Sequence, residues 1–168
     1  MTHEYLSRFL LATLAFVVIL YGAYVRLTDA GLGCPDWPGC YGKLVVTELD
    51  DPSFDFAPGT DYGKAYREMV HRYLAGILGV GILFLFCSYW IKEKNRGFFC
   101  AESLLLPVVL LQGFMGLLTV TLLLKPLIVT GHLIGGFTTL ALLWWSFLRK
   151  RFQQLSYTPT PPFYRLAI

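Results

Sequence analysis

Two histidines stand inside apolar segments long enough to cross a bilayer. His71 lies in Glu68-Met69-Val70-His71-Arg72, and His132 lies in Val129-Thr130-Gly131-His132-Leu133. An ionisable residue in a membrane helix is costly and faces a bundle interior or a water-filled cavity, so by default it marks a functional site. Two of them on different helices at similar depth point to a bound haem or metal. Neutral imidazole is a standard axial ligand, and a histidine pair leaves the haem iron six-coordinate. The alternative for either histidine is a hydrogen-bonded contact between helices. Glu68 precedes His71 by three residues and projects from the same helix face. As a catalytic group it would handle protons beside the macrocycle; as a structural group it is a helix-start carboxylate favoured by the dipole. Arg72, and Arg26 at the outer end of the first helix, are candidates to pair with haem propionates. The alternative for both is snorkelling to the membrane interface.

Four helices must position these groups. The chain has 168 residues, is 55% hydrophobic and has a mean hydropathy of +0.56, too apolar for an ordinary soluble domain. A bilayer takes about 20 residues of helix. Segments 9–25, 73–91, 104–124 and 127–148 meet that length. The pattern predicts helices over about 8–27, 66–91, 103–124 and 126–148. The fold class is an all-α membrane protein, a four-transmembrane-helix bundle with a long external first loop. Residues 1–156 form one domain with no separate soluble module. Residues 157–168 read as a Pro/Thr linker and the start of a further apolar helix. The first segment is no cleaved signal peptide, because its apolar run is too long and Arg26 follows it.

Basic residues set the orientation. Arg8 precedes the first helix, Lys92, Lys94 and Arg96 separate the second from the third, and Arg149, Lys150 and Arg151 follow the fourth. With four spans all fall on one side, so both termini are cytoplasmic. Segment 28–65 is external and acidic, carrying Asp29, Asp36, Glu48, Asp50, Asp51, Asp55 and Asp61 against Lys43 and Lys64. The formal charge of +3 thus describes an inner basic face and no nucleic-acid surface. Cys34 and Cys40 lie in the external loop, where a disulfide can form and persist; Cys87 and Cys100 read as free thiols. A loop-fixing disulfide and a redox pair are both open for Cys34 and Cys40, although their spacing is not C-x-x-C.

Depth places the histidines together. From Ile91 back to His71 is 20 residues, about 30 Å of helix, and from Leu148 back to His132 is 16 residues, about 24 Å. Both sit in the outer part of the membrane, on helices that run parallel to each other. Bundles build haem sites from side chains on facing helices. Ala75 and Gly79 follow His71 on its face, and Gly135 and Gly136 follow His132 on its own. Such small residues make room for a flat macrocycle, or simply for tight helix packing, as do Gly113 and Gly116 on the third helix.

These residues resemble the haem A synthase family. The resemblance rests on GAYVRLTDAGLGCPDWPGCYG at 22–42, EMVHR at 68–72, LQGFMGLLTV at 111–120 and VTGHL at 129–133. It implies a bacterial inner-membrane, multi-pass enzyme that oxidises the C8 methyl of haem O to a formyl group for cytochrome oxidase assembly. The family's fold is two similar four-helix bundles, each with a histidine pair. By that resemblance His71 and His132 are axial ligands of a haem iron, Glu68 is the motif carboxylate, and Cys34 and Cys40 are the external cysteine pair. The bound haem would be haem O as substrate, or haem B. Implied partners are membrane lipid, haem O synthase, an electron donor, and a second bundle or second copy of the chain. This chain stops where the second bundle would start. The resemblance therefore implies either a fragment or a half that works with a partner.

Two readings compete with the enzyme. One is a membrane b-type cytochrome that only transfers electrons through a bis-histidine haem. The other is a membrane thiol–disulfide protein, which leaves both histidines without a role.

Overall fold

A computed structural model describes residues 2–45, 61–92 and 100–156. The described residues form four helices, all long and apolar enough to cross a membrane. They are α1 Thr2–Leu27, α2 Tyr62–Lys92, α3 Ala101–Thr121 and α4 Pro126–Ser156. The architecture is the all-α four-helix bundle expected. The acidic stretch of the first loop between 46 and 60, Lys94 and Arg96, and the linker at 157–168 lie outside the described residues.

Four helix ends differ from the sequence expectation: α1 already begins at Thr2, so Arg8 lies within it and not before it, and the other three differ for local reasons. α2 starts four residues earlier because Asp61 caps it: its Oδ1 accepts from Lys64 N–H at 2.6 Å. α3 stops at Thr121, where Leu123 and Leu124 turn into positive φ at 52° and 55°. Leu124 N–H closes that turn on Thr119 O at 2.8 Å, and Pro126 opens α4, a position whose missing N–H costs nothing. α4 runs on to Ser156, since Arg149, Lys150 and Arg151 are compatible with helix outside the membrane.

The helices form a square. α1 packs on α2 and α4, and α3 packs on α2 and α4. α2 and α4 stand across the diagonal, with no Cα pair of theirs within 8 Å.

Two cores lie at different depths. Towards the basic end, Ala12, Ala15, Leu78, Ile82, Leu85, Leu105 and Leu143 make one buried cluster. Beyond it, Arg8 Nε donates to Ser146 Oγ at 2.9 Å, and Ser146 Oγ donates to Glu102 Oε1 at 2.8 Å. This chain of hydrogen bonds ties α1, α4 and α3 together, with an Arg8–Glu102 ion pair at 3.5 Å. At the other end, Cys34, Cys40, Ala65 and Met69 form a small second core under the first loop, with Tyr41 and Tyr62 against it.

Candidate functional site

The histidines occupy the layer between the two cores. From His71 to the nearest inner-core residue of its helix, Leu78, is seven residues; from Ala15 to Gly22 is also seven. From Leu105 to Gly116 and from His132 to Leu143 are eleven each. The fully buried packing thus ends about 10 Å or more short of this layer in all four helices.

His71 on α2 and His132 on α4 belong to helices that stand across the diagonal. A glycine of a different helix sits beside each ring. A Cβ on Gly22 of α1 would come 2.8 Å from His71 Cε1, and a Cβ on Gly116 of α3 would come 3.7 Å from His132 Cε1. The sequence expectation looked for small residues on each histidine's own helix. There, Gly79 borders open space, Gly135 lies under the Gln112 amide of α3, and Gly136 faces Ile19 of α1. Those two α4 glycines serve helix packing.

The Nδ1 atoms of His71 and of His132 are buried and make no hydrogen bond among the described residues. A buried polar atom left unpaired is uncommon and costs about 1–3 kcal/mol. On each ring no protein contact claims that nitrogen, and imidazole is a standard axial ligand of haem iron. Among the described residues no group of three or more His, Cys, Asp or Glu comes together as a metal-binding cluster. The residues present fit a haem held between two imidazoles.

One turn outward, Glu68 is buried and holds the first loop. Its Oε2 accepts from Cys34 N–H at 2.9 Å, and its Oε1 pairs with Arg72 Nη2. Arg72 is committed to the same task. Its Nη1 donates to Asp36 O at 2.8 Å, to Pro38 O at 3.3 Å and to Gly39 O. Asp36 in turn accepts from Tyr41 N–H at 2.6 Å and Gly42 N–H at 2.9 Å. Cys34 and Cys40 are joined by a disulfide, with both residues buried. Residues 34–42 are therefore drawn into a cap, closed by a covalent bond and by one guanidinium that gathers three carbonyls. Gly31 of this cap also rests on Leu124 of the α3–α4 turn.

The structure separates the two sequence-candidate arginines. Arg72 spends its hydrogen bonds on the cap, whereas Arg26 is exposed at the end of α1 and its guanidinium makes no hydrogen bond among the described residues. Arg67, passed over in the sequence, is the third cation here. It precedes His71 by four residues, and its Nε is buried without a hydrogen-bond partner. The signal that could have found it is that i, i+4 spacing.

The fold and site define a multi-pass membrane protein with a histidine pair under a disulfide-closed cap. Residues 6–167 match the family of cytochrome oxidase assembly proteins, COX15-CtaA, and the chain belongs to that family. The Heme A synthase of Shewanella oneidensis is 45% identical over 83% of this chain and 44% of its own length. That of Lysinibacillus sphaericus is 32% identical over 54% of this chain and 26% of its own. That of an Exiguobacterium species is 36% identical over 48% of this chain and 23% of its own. The chain thus spans less than half the length of the curated relatives it matches. No solved structure matches it significantly.

Proposed function

We propose that this chain is the substrate-haem half of a haem A synthase, binding haem O between His71 and His132 for oxidation of its C8 methyl to a formyl group. The carrying observation is the diagonal imidazole pair, with a buried unpaired Nδ1 on each ring and a glycine of a neighbouring helix beside each ring. The haem iron, when bound, supplies the redox centre beside the methyl group. His71 and His132 would hold it, and Gly22 leaves the His71 ring the space it occupies. Turning the methyl into a formyl group takes its oxygen from water and releases protons and electrons, so the site needs access for water and an acceptor for the protons and for the electrons. Glu68 is the proton acceptor. An ionised carboxylate offers about four acceptor positions, and Cys34 N–H and Arg72 take two of them. Arg67 and Arg26 provide positive charge for the propionates. Arg72 acts through the cap, whose Asp36, Pro38 and Gly39 carbonyls it gathers.

Electrons leave to a redox partner, and the remaining family functions rest on a second bundle or a second copy of the chain. Haem O synthase is the source of substrate. The bias of basic residues supports an orientation with both termini in the cytoplasm of a bacterial cell and the cap on the outer side of the inner membrane. The thiol–disulfide reading is disfavoured by the burial of Cys34 and Cys40, at 1% and 0% exposure, since an exchanging thiol must reach the bond.

The test is an optical spectrum of the purified protein, oxidised and reduced, with chromatography of the extracted haem after supply of a second bundle. A low-spin bis-histidine spectrum and a formyl haem are expected, and His71→Ala and His132→Ala should each lose the haem or turn it high-spin. A normal low-spin spectrum in both variants would refute the ligand pair. Low-spin haem without any formyl product would leave a b-type cytochrome.

A further inference from the structure

At the end of the bundle opposite the histidines, α1, α2 and α4 border a cavity of 280 Å³. Its lining changes character with depth. Along α2 it passes from Gly81 through Phe84 to Tyr89 and Lys92, eleven residues or about 16 Å. Along the antiparallel α1 it passes from Leu11 to Arg8 and Glu4, and α4 adds Lys150 at the charged end. Apolar wall lies towards the bilayer centre and cations lie at its edge, with Tyr89 at the boundary where an aromatic hydroxyl is at home. A soluble anion would use only the charged end. An amphiphile with an anionic head uses all of it.

We propose that this cavity binds an anionic phospholipid, its phosphate on Lys92, Lys150 and Arg8 and the start of an acyl chain along Leu11 and Phe84. The structure already holds a carboxylate in the head position. Glu4 reaches Lys92 Nζ at 3.2 Å and Lys150 Nζ at 3.8 Å, so two ammonium groups from different helices converge on one anion-sized place. Glu4 sits in the first turn of α1 with its side chain 42% exposed, free to swing into solvent when a phosphate takes its place. Arg8 is fixed at the cavity wall: Nε donates to Ser146, Nη1 donates to Glu4 O at 2.6 Å, and Nη2 makes no hydrogen bond among the described residues. Phe84 leaves most of its ring uncovered, a surface for a lipid chain. Basic pockets between membrane helices on the cytoplasmic side are where anionic headgroups dock. The site is separate from the histidine layer and stands whether or not the haem assignment does.

The experiment uses the purified full chain in neutral detergent. Thermal stability is titrated with phosphatidylglycerol, with phosphatidylcholine and with inorganic phosphate, and retained lipid is read by native mass spectrometry. Saturable stabilisation by phosphatidylglycerol is expected, with none from phosphatidylcholine and none from phosphate in the same range. The double variant Lys92→Gln, Lys150→Gln should weaken phosphatidylglycerol binding about tenfold or more. Glu4→Gln removes the internal competitor and should tighten it. Equal binding by the double variant, weaker binding by Glu4→Gln, or equal stabilisation by phosphatidylcholine would overturn the proposal. Stabilisation by phosphate alone that matches phosphatidylglycerol would overturn it in favour of a soluble anion. Circular dichroism of each variant confirms that the helices are retained.

Discussion

Gly22 of α1 lies directly against the imidazole of His71: a Cβ there would sit 2.8 Å from Cε1 and 3.3 Å from Nε2. Real Cβ atoms do not approach so closely, so an alanine at 22 must move the ring. The ring is itself the group assigned to the iron, and overpacking of this kind costs about 1–3 kcal/mol. Gly22→Ala should therefore keep the helical fold, weaken haem retention about tenfold and shift the low-spin spectrum. Gly116→Ala, which would place its Cβ at an ordinary 3.7 Å from His132, should do less. Gly113→Ala faces open space and serves as the control. An unchanged spectrum for Gly22→Ala would show that the His71 ring position does not matter to the haem.

Glu68 has a structural duty and a proposed chemical one, and two substitutions divide them. Glu68→Ala strands the Cys34 N–H and removes the partner of Arg72, a loss of about 1–3 kcal/mol for the unpaired donor alone. Glu68→Gln keeps an oxygen for Cys34 N–H but cannot take up a proton as a carboxylate does. The glutamine variant should retain haem and a protected disulfide yet make no formyl haem in a turnover-competent preparation. Wild-type formyl haem from Glu68→Gln would leave the residue as a clamp only.

Arg67 and Arg72 should fail differently. Arg72→Gln releases the Asp36, Pro38 and Gly39 carbonyls, so the Cys34–Cys40 bond should become accessible to a reductant. Arg67→Gln should leave the cap closed. It should lower haem affinity about tenfold, the scale of one charge-assisted hydrogen bond of about 1.5–3 kcal/mol. Thiol labelling after mild reduction reads the first effect, and haem titration of the apoprotein reads the second. Reversed outcomes would return Arg72 to the propionates.

Topology is tested away from the native thiols. Cys100 is buried, where it caps α3 by accepting from Ser103 N–H, and labelling it would report burial as much as side. A cysteine placed at exposed Leu44 should react with an impermeant maleimide in intact cells, and one placed at exposed Phe152 should react only after lysis. Labelling at 152 in intact cells would invert the assigned orientation.

Hydropathy and helical spacing are local properties, and they made much of this protein legible in its sequence. The four membrane segments, the depth of His71 and His132, and the shared face of Glu68 and His71 follow from counting residues along a helix of known rise. The bundle confirms the spans and brings the two histidines into one layer. Helix ends were less legible, because Asp61 as a cap and Leu123 and Leu124 in left-handed turns act through backbone hydrogen bonds that composition does not display.

The partners of each group were decided only by the tertiary structure. In the sequence Arg72 and Arg26 are both candidates for a propionate, and spacing alone favours snorkelling to the interface for each. The fold of the first loop presents three carbonyls to Arg72, and a guanidinium with five donors in a fixed fork is satisfied there. Small residues on a histidine's own helix were the visible candidates for making room, yet the glycines that touch the rings are Gly22 and Gly116 of neighbouring helices. Helical spacing describes one helix at a time. Placing α2 and α4 on the diagonal, with α1 beside the His71 imidazole and α3 beside that of His132, depends on how four helices bury their faces together, and no single segment of the chain contains that information.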